Sequence, residues 1–483
     1  MVENPWPGTW AGIRVHLVGI KGTGMTALAE ILVGRGAVVS GSDGPEKFYT
    51  DALLARLGVP YRESFSAANV QEGVQLVVHS PAYSREEHVE LREALKRGLP
   101  VLSYPEALGR LSAAADSSGV AGTHGKTTTT ALAGTLAEAL KLPVTVLVGS
   151  EVAGFGGRST LVRGERYLVA ETCEYRRHFL NFHPRRLVIT SVEADHLDYF
   201  RDLEDVFDAF VSYVRLLPPG GTLIYAADDA GARLVAERSR SQHADLRLLP
   251  YGETAPGPFG LRQVHSGQGR TSFRLAGLEG EFSLPLPGRH MALNAAAALA
   301  LAGELLAAEG GALGPTELEA ARAALAGFRG TRRRSELVGE AGGVLFLDDY
   351  GHHPTEIRST LEGYKSFYPG RRLVVDFMPH TYSRTRALLP QFAECFAAAD
   401  LVILHRVYAS ARESAGEAGA ADGRTLFREV ASRHPAVQYY EEPLEAVEAL
   451  AGNLEPGDLF VTMGAGDNWK VGRALLARLG GKP

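Results

Sequence analysis

The stretch Gly119-Val-Ala-Gly-Thr-His-Gly-Lys-Thr-Thr-Thr-Thr130 decides how the middle of this chain folds. A short apolar run ends in glycines and Lys126, and a helix-forming segment then continues to about Leu140. Glycines let backbone N–H groups approach an anion, and the helix start adds its positive dipole. Lys126 would neutralise phosphate charge, and the Thr127 hydroxyl would be a ligand for Mg²⁺. The pattern therefore predicts a phosphate-binding loop, with a glycine-rich turn that only caps a helix as the alternative.

The length, net charge and cysteine count of the chain indicate a globular protein of several domains. Its 483 residues are enough for roughly three hydrophobic cores. A formal net charge of -6 argues against a general nucleic-acid binder. Two cysteines, Cys173 and Cys395, exclude a disulfide framework and fit a reducing cytoplasm. The start of the chain has no cationic segment before an extended apolar core, and no apolar run approaches ~20 residues, so we expect neither a secretory signal nor a membrane span.

The first third of the chain has the order of a nucleotide-binding βα unit. A strand over residues 13–19 leads into a glycine turn and a helix, and a second strand ends at Ser42 and Asp43. An acid about 20 residues beyond such glycines can hold a ribose hydroxyl. Ser80 ends a further strand at the same edge. Lys21 replaces the middle glycine of the usual G-x-G-x-x-G fingerprint, so a purely structural turn is the alternative.

Two predicted strands of the central region end in candidate metal ligands. One delivers Glu171, and the next delivers Glu193-Ala-Asp-His196. Carboxyl ends of parallel strands meet at one crevice, so Glu171 and His196 would complete a divalent-metal site with Thr127. Carboxylate oxygen suits Mg²⁺, while a histidine ligand keeps Mn²⁺ as an alternative metal. Asp195 and Asp198 either belong to this site or are solvated loop acids or helix caps.

Three segments further on could contact a nucleotide or an anion. Asn294, at the end of Gly288-Arg-His-Met-Ala-Leu-Asn294, offers a donor and an acceptor to an adenine edge, or it is a polar helix start. The triple arginine Arg332-Arg-Arg334 would clamp phosphates or form a solvated turn, and it marks a hinge. His380 and Arg384 would grip a carboxylate, with a solvated basic turn as the alternative.

The cluster Asp348-Asp-Tyr-Gly-His-His-Pro-Thr-Glu356 follows another predicted strand. Two acids, an aromatic residue and two histidines at one strand end are hard to explain as core. Together with the preceding segments, this cluster resembles motifs of the Mur ligase family over essentially the whole chain. The motifs that carry the resemblance are GTHGKTTTT, Glu171 with Asp-His196, GRHxxLN, RRR, DDYGHHPTE, PHTYSR and GAGD.

Within that family, the segments around His352 and His380 are similar to those of the member that adds alanine. A relative that acts on recycled peptides characteristically has a Glu-Pro-Arg-Ser type of segment where this chain has Met378-Pro-His380. Several other members use a carbamylated lysine of the central domain. No lysine occurs between Lys141 and Lys365. This excludes a carbamylated lysine in that part of the central domain and fits the alanine-adding member.

The resemblance implies an α/β protein of three domains. These are a Rossmann-like UDP-sugar-binding domain (residues 1–113), a P-loop ATPase domain (114–332) and a Rossmann-like amino-acid-binding domain (333–483). The implied reaction joins L-alanine to the lactyl carboxylate of UDP-N-acetylmuramate through an acyl phosphate, in peptidoglycan precursor synthesis. The expected cofactors are ATP and Mg²⁺, with Mn²⁺ as an alternative. A cytoplasmic monomer or homodimer without nucleic-acid or membrane partners is expected.

The resemblance also assigns roles by position. ATP would be bound by Gly122, Thr123, His124, Gly125, Lys126, Thr127, Thr128, Asn294, Arg333 and Asp349. The metal would be held by Thr127, Glu171 and His196. The UDP moiety would lie against Gly22, Gly24, Ser42, Asp43 and Ser80. The incoming amino acid would meet Tyr350, His352, His380 and Arg384. Lys126, His352, His380 and Arg384 would be catalytic, with either histidine orienting or deprotonating the amine.

The chain departs from the family pattern in one acidic segment. The usual Glu-Ala-Asp-Glu-Ser-Asp appears as Glu171-Thr-Cys-Glu-Tyr-Arg176, which keeps both glutamates, so metal binding is expected to persist. Ser335 also stands where an aromatic residue often follows the arginine pair. Two other classes stay open: a related ligase for a recycled peptide or a different acid, and a nucleotide-gated binding protein without catalysis. A nucleoside kinase is disfavoured by the third domain.

Overall fold

The computed structural model describes residues 9–409 and 422–480. The first eight residues, on which the expectation of no secretory signal partly rests, lie outside the described part. Three sheets dominated by parallel strands follow one another along the chain, and the α/β fold class is confirmed. The domain boundaries at 113/114 and 332/333 remain predictions.

The first sheet has five parallel strands in the order β3-β2-β1-β4-β5. Its strands are β1 (Arg14–Val18), β2 (Val38–Ser42), β3 (Tyr61–Arg62), β4 (Leu76–His79) and β5 (Val101–Ser103). Its helices are α1 (Thr23–Gly34), α2 (Thr50–Leu57), α3 (Val89–Lys96) and α4 (Tyr104–Ala113). The strand order reverses between β1 and β4, so the crevice for a ligand opens at their carboxyl ends. The predicted βα unit is confirmed there.

The second sheet has seven strands in the order β12-β11-β10-β6-β9-β7-β8, all parallel except the β7–β8 pair. The strands are β6 (Asp116–Ala121), β7 (Val144–Val152), β8 (Arg158–Val162), β9 (Tyr167–Glu171), β10 (Arg186–Ile189), β11 (Thr222–Ala226) and β12 (Arg247–Tyr251). The accompanying helices are α5 (Lys126–Ala139), α6 (Leu203–Val214), α7 (Ala230–Gln242), α8 (Arg289–Ala308) and α9 (Pro315–Ala326). The quoted stretch thus forms β6, the glycine loop and α5, as predicted.

A small antiparallel sheet in the same region was not predicted from the sequence. It consists of β13 (Leu261–Gly267), β14 (Arg270–Leu275) and β15 (Leu278–Leu284). Phe273 and Phe282 stack across it with ring centroids 5.6 Å apart. The sheet packs on α8 and α9 and so completes the core of the central region.

Helix α8 corrects the statement that no apolar run approaches the length of a membrane span. By length and composition, it is the one helix among the described residues that could cross a bilayer. Of its most apolar window, 72% is buried inside the protein, where it packs against α5. Its alanines and leucines therefore serve a protein core.

The third sheet has six strands in the order β16-β17-β21-β18-β19-β20, with β16 antiparallel to its neighbour. The strands are β16 (Glu336–Ala341), β17 (Val344–Asp349), β18 (Leu373–Phe377), β19 (Leu401–Leu404), β20 (Val437–Tyr439) and β21 (Leu459–Met463). The helices are α10 (Pro354–Phe367), α11 (Tyr382–Ala387), α12 (Leu389–Glu394), α13 (Gly423–Ala431), α14 (Ala446–Asn453) and α15 (Trp469–Arg478). Because β17, β21 and β18 are neighbours, the polar segments at their carboxyl ends meet at one edge of the sheet. These segments belong to the motifs DDYGHHPTE, GAGD and PHTYSR.

Candidate active site

The glycine loop between β6 and α5 needs glycine at two positions. Gly122 has φ +138, and a Cβ there would lie 2.2 Å from Thr190 Oγ1. Gly125 has φ +79, and a Cβ there would lie 2.6 Å from Asn294 Oδ1. Both values lie in the region that favours glycine. The loop is therefore packed closely against β10 and α8, with Asn294 beside it.

Lys126 is folded back onto this loop. Its ammonium donates to Gly122 O, to Thr123 O at 3.2 Å and to Glu174 Oε1 at 3.2 Å. Burial alone would lower the pKa of Lys126, but Glu174 and its acidic neighbours raise the pKa above its ordinary value. The Lys126 ammonium is thus a cation fixed at the start of a helix. A bound phosphate would replace its contacts with the carbonyls of the loop.

The candidate metal ligands form two adjacent groups. Thr127 Oγ1 donates to Glu171 Oε1 at 3.0 Å, and Gly149 N donates to Glu171 Oε2 at 2.7 Å. His196 Nε2 lies 3.8 Å from Glu174 Oε1 and has a strained backbone with φ +53. In the part of the chain that the structure describes, His196 contacts Glu174 rather than Glu171. Hydroxyl and carboxylate oxygens beside an imidazole suit a hard divalent cation.

A cavity of about 290 Å³ extends from this loop between the second and third sheets. We name this candidate nucleotide site the nucleotide cavity. Tyr251, Met291 and Leu293 form an apolar part, as the flat face of a base requires. Asn294 and Asp349, both predicted to bind ATP, also line the cavity. Asp349 accepts from Ser335 N and Gly351 N, each at 2.7 Å, and burial raises its pKa.

Of the triple arginine, Arg334 rather than Arg333 lines the nucleotide cavity. Arg333 donates to Asp348 Oδ2 at 2.9 Å and to Gly464 O at 2.7 Å, so it is used inside the third sheet. Arg334 lies 3.6 Å from Glu356. The triple arginine was predicted as a phosphate clamp, but the resemblance selected Arg333, because nothing in three consecutive arginines indicates which of them faces the cavity.

His124 joins the loop to the C-terminal region through a cluster that the sequence did not predict. Its Nδ1 lies 3.1 Å from Glu356 Oε1, and its Nε2 lies 3.4 Å from Glu193 Oε2. Glu193 also accepts from Thr355 Oγ1 at 2.8 Å and lies 3.6 Å from His353. Burial would lower the pKa of His124, but the two carboxylates raise it to about 9. His124 is therefore an imidazolium that bridges acids of two regions.

The predicted amino-acid residues are brought together at the ends of β17 and β18. His352 Nδ1 lies 3.0 Å from Tyr350 O, and the His352 and His380 ring centroids are 6.3 Å apart. Arg384 lies 3.3 Å from His380 Nδ1, yet it donates mainly to Asp195 Oδ1, at 2.9 and 2.8 Å. Asp195 is thus the buried partner of Arg384. Burial and Arg384 lower the pKa of His352 to about 3.

The predicted UDP residues lie around the turn after β1. Asp43 Oδ2 accepts from the backbone N–H of Lys21 at 2.7 Å. A Cβ on Gly24 would lie 2.8 Å from the Tyr104 ring, so the chain needs glycine there. Ser80 Oγ accepts from Ala82 N at 3.3 Å at the end of β4. The hydroxyl of Ser42 points inward to a buried carboxylate, Glu90.

The predicted residue Gly22 precedes α1, and its backbone N–H donates to Gly19 O at 3.3 Å. Thr128, on the first turn of α5, lines the nucleotide cavity.

A second cleft, of about 580 Å³, lies where the three regions meet. It is lined by Tyr49 of the first, Glu171 of the second and Tyr350 of the third. Thr127 and Arg334 line both this cleft and the nucleotide cavity. The two spaces therefore meet at the end of the glycine loop.

A cavity that extends from a glycine-rich loop between the central and C-terminal α/β regions, with a carboxylate beside the loop threonine, is typical of nucleotide-dependent α/β enzymes. Three family models match the chain: "Mur ligase family, catalytic domain" at residues 14–116, "Mur ligase middle domain" at 120–302 and "Mur ligase, glutamate ligase domain" at 333–466. The chain belongs to the Mur ligase family.

Individual relatives agree with this assignment. The chain is 52% identical to the UDP-N-acetylmuramate--L-alanine ligase of Treponema pallidum (strain Nichols), over 98% of both chains. It is 42% identical to the enzyme of that name from Desulfitobacterium hafniense, over 96% of this chain and 99% of the relative. A crystal structure of UDP-N-acetylmuramate-alanine ligase MurC from Thermotoga maritima matches with a TM-score of 0.77 and 25% identity, over 96% of this chain and 99% of that chain.

Proposed function

We propose that this protein joins L-alanine to the lactyl carboxylate of UDP-N-acetylmuramate at the expense of ATP, in peptidoglycan precursor synthesis. The observation that carries the proposal is the meeting of the nucleotide cavity and the three-region cleft at Thr127 and Arg334. An acid bound in the cleft would there face the γ-phosphate of ATP in the cavity. Cytoplasmic location and oligomeric state remain predictions.

The first step joins two anions, so its barrier is largely electrostatic. A carboxylate oxygen attacks the γ-phosphorus, the bond to ADP breaks, and an acyl phosphate forms. Lys126 would offset the charge that develops on the phosphoryl oxygens, with Arg334 on the other side. Thr127, Glu171 and His196 would hold Mg²⁺, with Mn²⁺ as an alternative. When bound, the metal would neutralise phosphate charge.

The second step uses the cluster at the ends of β17 and β18. The amine of alanine attacks the acyl carbon, phosphate leaves, and the nitrogen loses a proton. Since His352 Nδ1 donates to Tyr350 O, its Nε2 is left as an acceptor for an amine N–H. A pKa of about 3 makes His352 a weak base, so it would orient the amine rather than deprotonate it. Arg384, near His380, would exchange part of its contact with Asp195 for the substrate carboxylate.

An ADP-release assay tests this function. UDP-N-acetylmuramate and ATP are held constant while L-alanine, serine, glycine and a tripeptide are titrated in separate series. We expect L-alanine to give the highest kcat/KM. A preference for the tripeptide would assign the protein to peptide recycling instead, and the absence of substrate-dependent ATP hydrolysis would favour a binding protein.

A further inference from the structure

Lys21 lies in the turn between β1 and α1, at the edge where the UDP moiety is proposed to bind. A lysine in such a turn would ordinarily reach out to an anion or to solvent. Here the residue is only 1% exposed, and its side chain is turned into the protein. Burying an ammonium is costly unless its donors are satisfied, so the contacts of Lys21 define what it does.

All three N–H donors of the Lys21 ammonium are used within the protein. They reach Gly44 O, Glu46 O and Glu63 Oε1, each at 2.9 Å. Asp51 Oδ1, at 3.4 Å, adds a second negative charge. An ammonium has three donors and no more, which leaves none for a phosphate. Lys21 therefore acts through the residues that it holds.

Two of its three hydrogen-bond acceptors, Gly44 O and Glu46 O, belong to the β2–α2 loop, residues 43–49. At one end of the loop, the backbone N–H of Lys21 donates to Asp43 Oδ2 at 2.7 Å. At the other end, the Tyr49 hydroxyl donates to Thr23 Oγ1 at 2.9 Å, and the Tyr49 ring lies 4.6 Å from the Arg332 guanidinium. Between them, two inward-facing carbonyls accept from the ammonium.

The same loop forms a wall of the cleft that leads to the P-loop. Lys47, Phe48 and Tyr49 line this cleft together with Thr127 and Glu171. Phe48 is half exposed, and Lys47 is held by Glu63 at 2.5 Å, the carboxylate that also binds Lys21. A shift of the loop would thus move both the Asp43 carboxylate and the surface that an acid substrate must pass.

We propose that Lys21 is a positioning residue for the UDP-sugar substrate. It fixes the β2–α2 loop, so that Asp43 and the cleft-lining side chains are in place before the substrate arrives. This inference rests on the proposed function. A loop that is already ordered costs the substrate less binding free energy than one that must be ordered on binding. Loss of Lys21 therefore weakens UDP-sugar binding more than it affects ATP.

Lys21→Met tests the proposal, because it keeps an unbranched buried stem and removes the donors. Lys96→Met, at an exposed lysine of α3 in the same region, is the matched control. Hydrogen exchange of residues 43–51 is followed without ligands, and binding of UDP-N-acetylmuramate is measured by calorimetry without ATP. In Lys21→Met we expect exchange and Kd each to rise by about tenfold or more, with KM for ATP within about twofold. Lys96→Met should match the wild type.

The double variant Lys21→Met/Asp51→Asn separates positioning from general stability and replaces the single variant if that does not fold. It removes the mostly buried negative charge that faces the ammonium at 3.4 Å and keeps an oxygen for the Phe48 N–H, so Tm should recover while the Kd stays raised. Recovery of affinity together with Tm would overturn the proposal. Weaker binding with unchanged exchange would make Lys21 a direct ligand and would also overturn it. If the wild type does not bind UDP-N-acetylmuramate, the proposed function fails; if it binds and Lys21→Met is unchanged, only this inference fails.

Discussion

Lys126 is the residue on which the proposed phosphoryl transfer most depends. Its ammonium is held by the loop carbonyls and Glu174, so it is in place before ATP binds. Lys126→Ala should lower kcat for ADP release by about 10²–10³ or more, because a charge that stabilises the transition state is removed. The Kd for UDP-N-acetylmuramate should stay within about twofold. Lys141→Ala, at an exposed lysine just after α5, is the control; equal turnover of both variants would contradict the assignment.

His124 makes stability depend on pH, because its pKa is about 9 in the folded protein and about 6.5 in an unfolded chain. The folded state holds this proton more tightly. The stabilisation is therefore complete below pH 6.5 and is lost as the pH rises through 9, amounting to about 3 kcal/mol. Burial would raise the pKa of Glu193 and Glu356, but His124 lowers both, so their stabilisation fades only on acidification.

The measurement is the urea midpoint of unfolding between pH 6 and 10, for the wild type and for His124→Gln. We expect the wild-type midpoint to fall with rising pH and the variant midpoint to change much less over that interval. Parallel pH profiles for the two proteins would show that the imidazolium does not bridge Glu193 and Glu356.

At the scale of elements, local order was predictable and long-range contact was not. The parallel strands and their polar ends follow from apolar runs punctuated by glycines, as at β6 and α5. The hairpins β13–β14–β15 lack such runs, because their buried side chains are interspersed with polar ones. The loop between β13 and β14 is a two-residue hairpin turn, in which Gln268 and Gly269 both have the positive φ that such a turn requires. From the sequence, the glycine was the turn signal.

The contacts that complete the site join residues distant in sequence. Arg384 and Asp195 are 189 positions apart, and no periodicity or motif spacing encodes their pairing. The choice of Arg334 over Arg333 and the Glu193–His124–Glu356 bridge escaped prediction for the same reason, since they depend on how two regions pack. The sequence therefore predicted which strand ends carry chemistry but not which side chains meet.

The start of helix α7 holds in place the segment that follows β10. Asp229 Oδ1 accepts from Val192 N at 3.0 Å and from Ala232 N at 2.7 Å. A Cβ on Gly231 would lie 2.0 Å from Val192 O, a backbone atom that must then shift. Gly231→Ala should destabilise the protein by about 1–3 kcal/mol and should lower activity, because Glu193 follows Val192 directly.

The control for this prediction is Gly34→Ala, in the last turn of α1, where a Cβ would meet nothing within 4 Å. Helix propensity favours alanine over glycine by up to about 1 kcal/mol, so this variant should be neutral or slightly more stable. Urea unfolding and the ADP-release assay compare the two. Equal stability of Gly231→Ala and Gly34→Ala would mean that α7 does not clamp the segment after β10.

The whole molecule is a closed arrangement in which two ion pairs and a hydrogen bond span the central and C-terminal regions. Asp195–Arg384, His124–Glu356 and Glu193–Thr355 all cross between the same two regions, and each ends in a predicted site segment. Closure therefore assembles the nucleotide cavity and the amino-acid cluster together. An enzyme that forms an acyl phosphate benefits, because closing the site excludes water from a reactive intermediate.

The Asp195–Arg384 pair is the best place to test this closure, since both side chains are only 8% exposed. Removing one partner leaves a buried charge without its counter-ion, which is destabilising. Removing the second partner as well causes little further destabilisation. In a cycle of Asp195→Asn, Arg384→Gln and the double variant, the free energy of unfolding in urea should show a coupling of about 1–3 kcal/mol. The exposed Arg433–Glu394 pair, inside the C-terminal region, should give less than about 1 kcal/mol. X-ray scattering should show a larger radius of gyration for each single variant at the buried pair. Additive effects on the free energy of unfolding, with an unchanged radius, would mean that this pair does not hold the regions together.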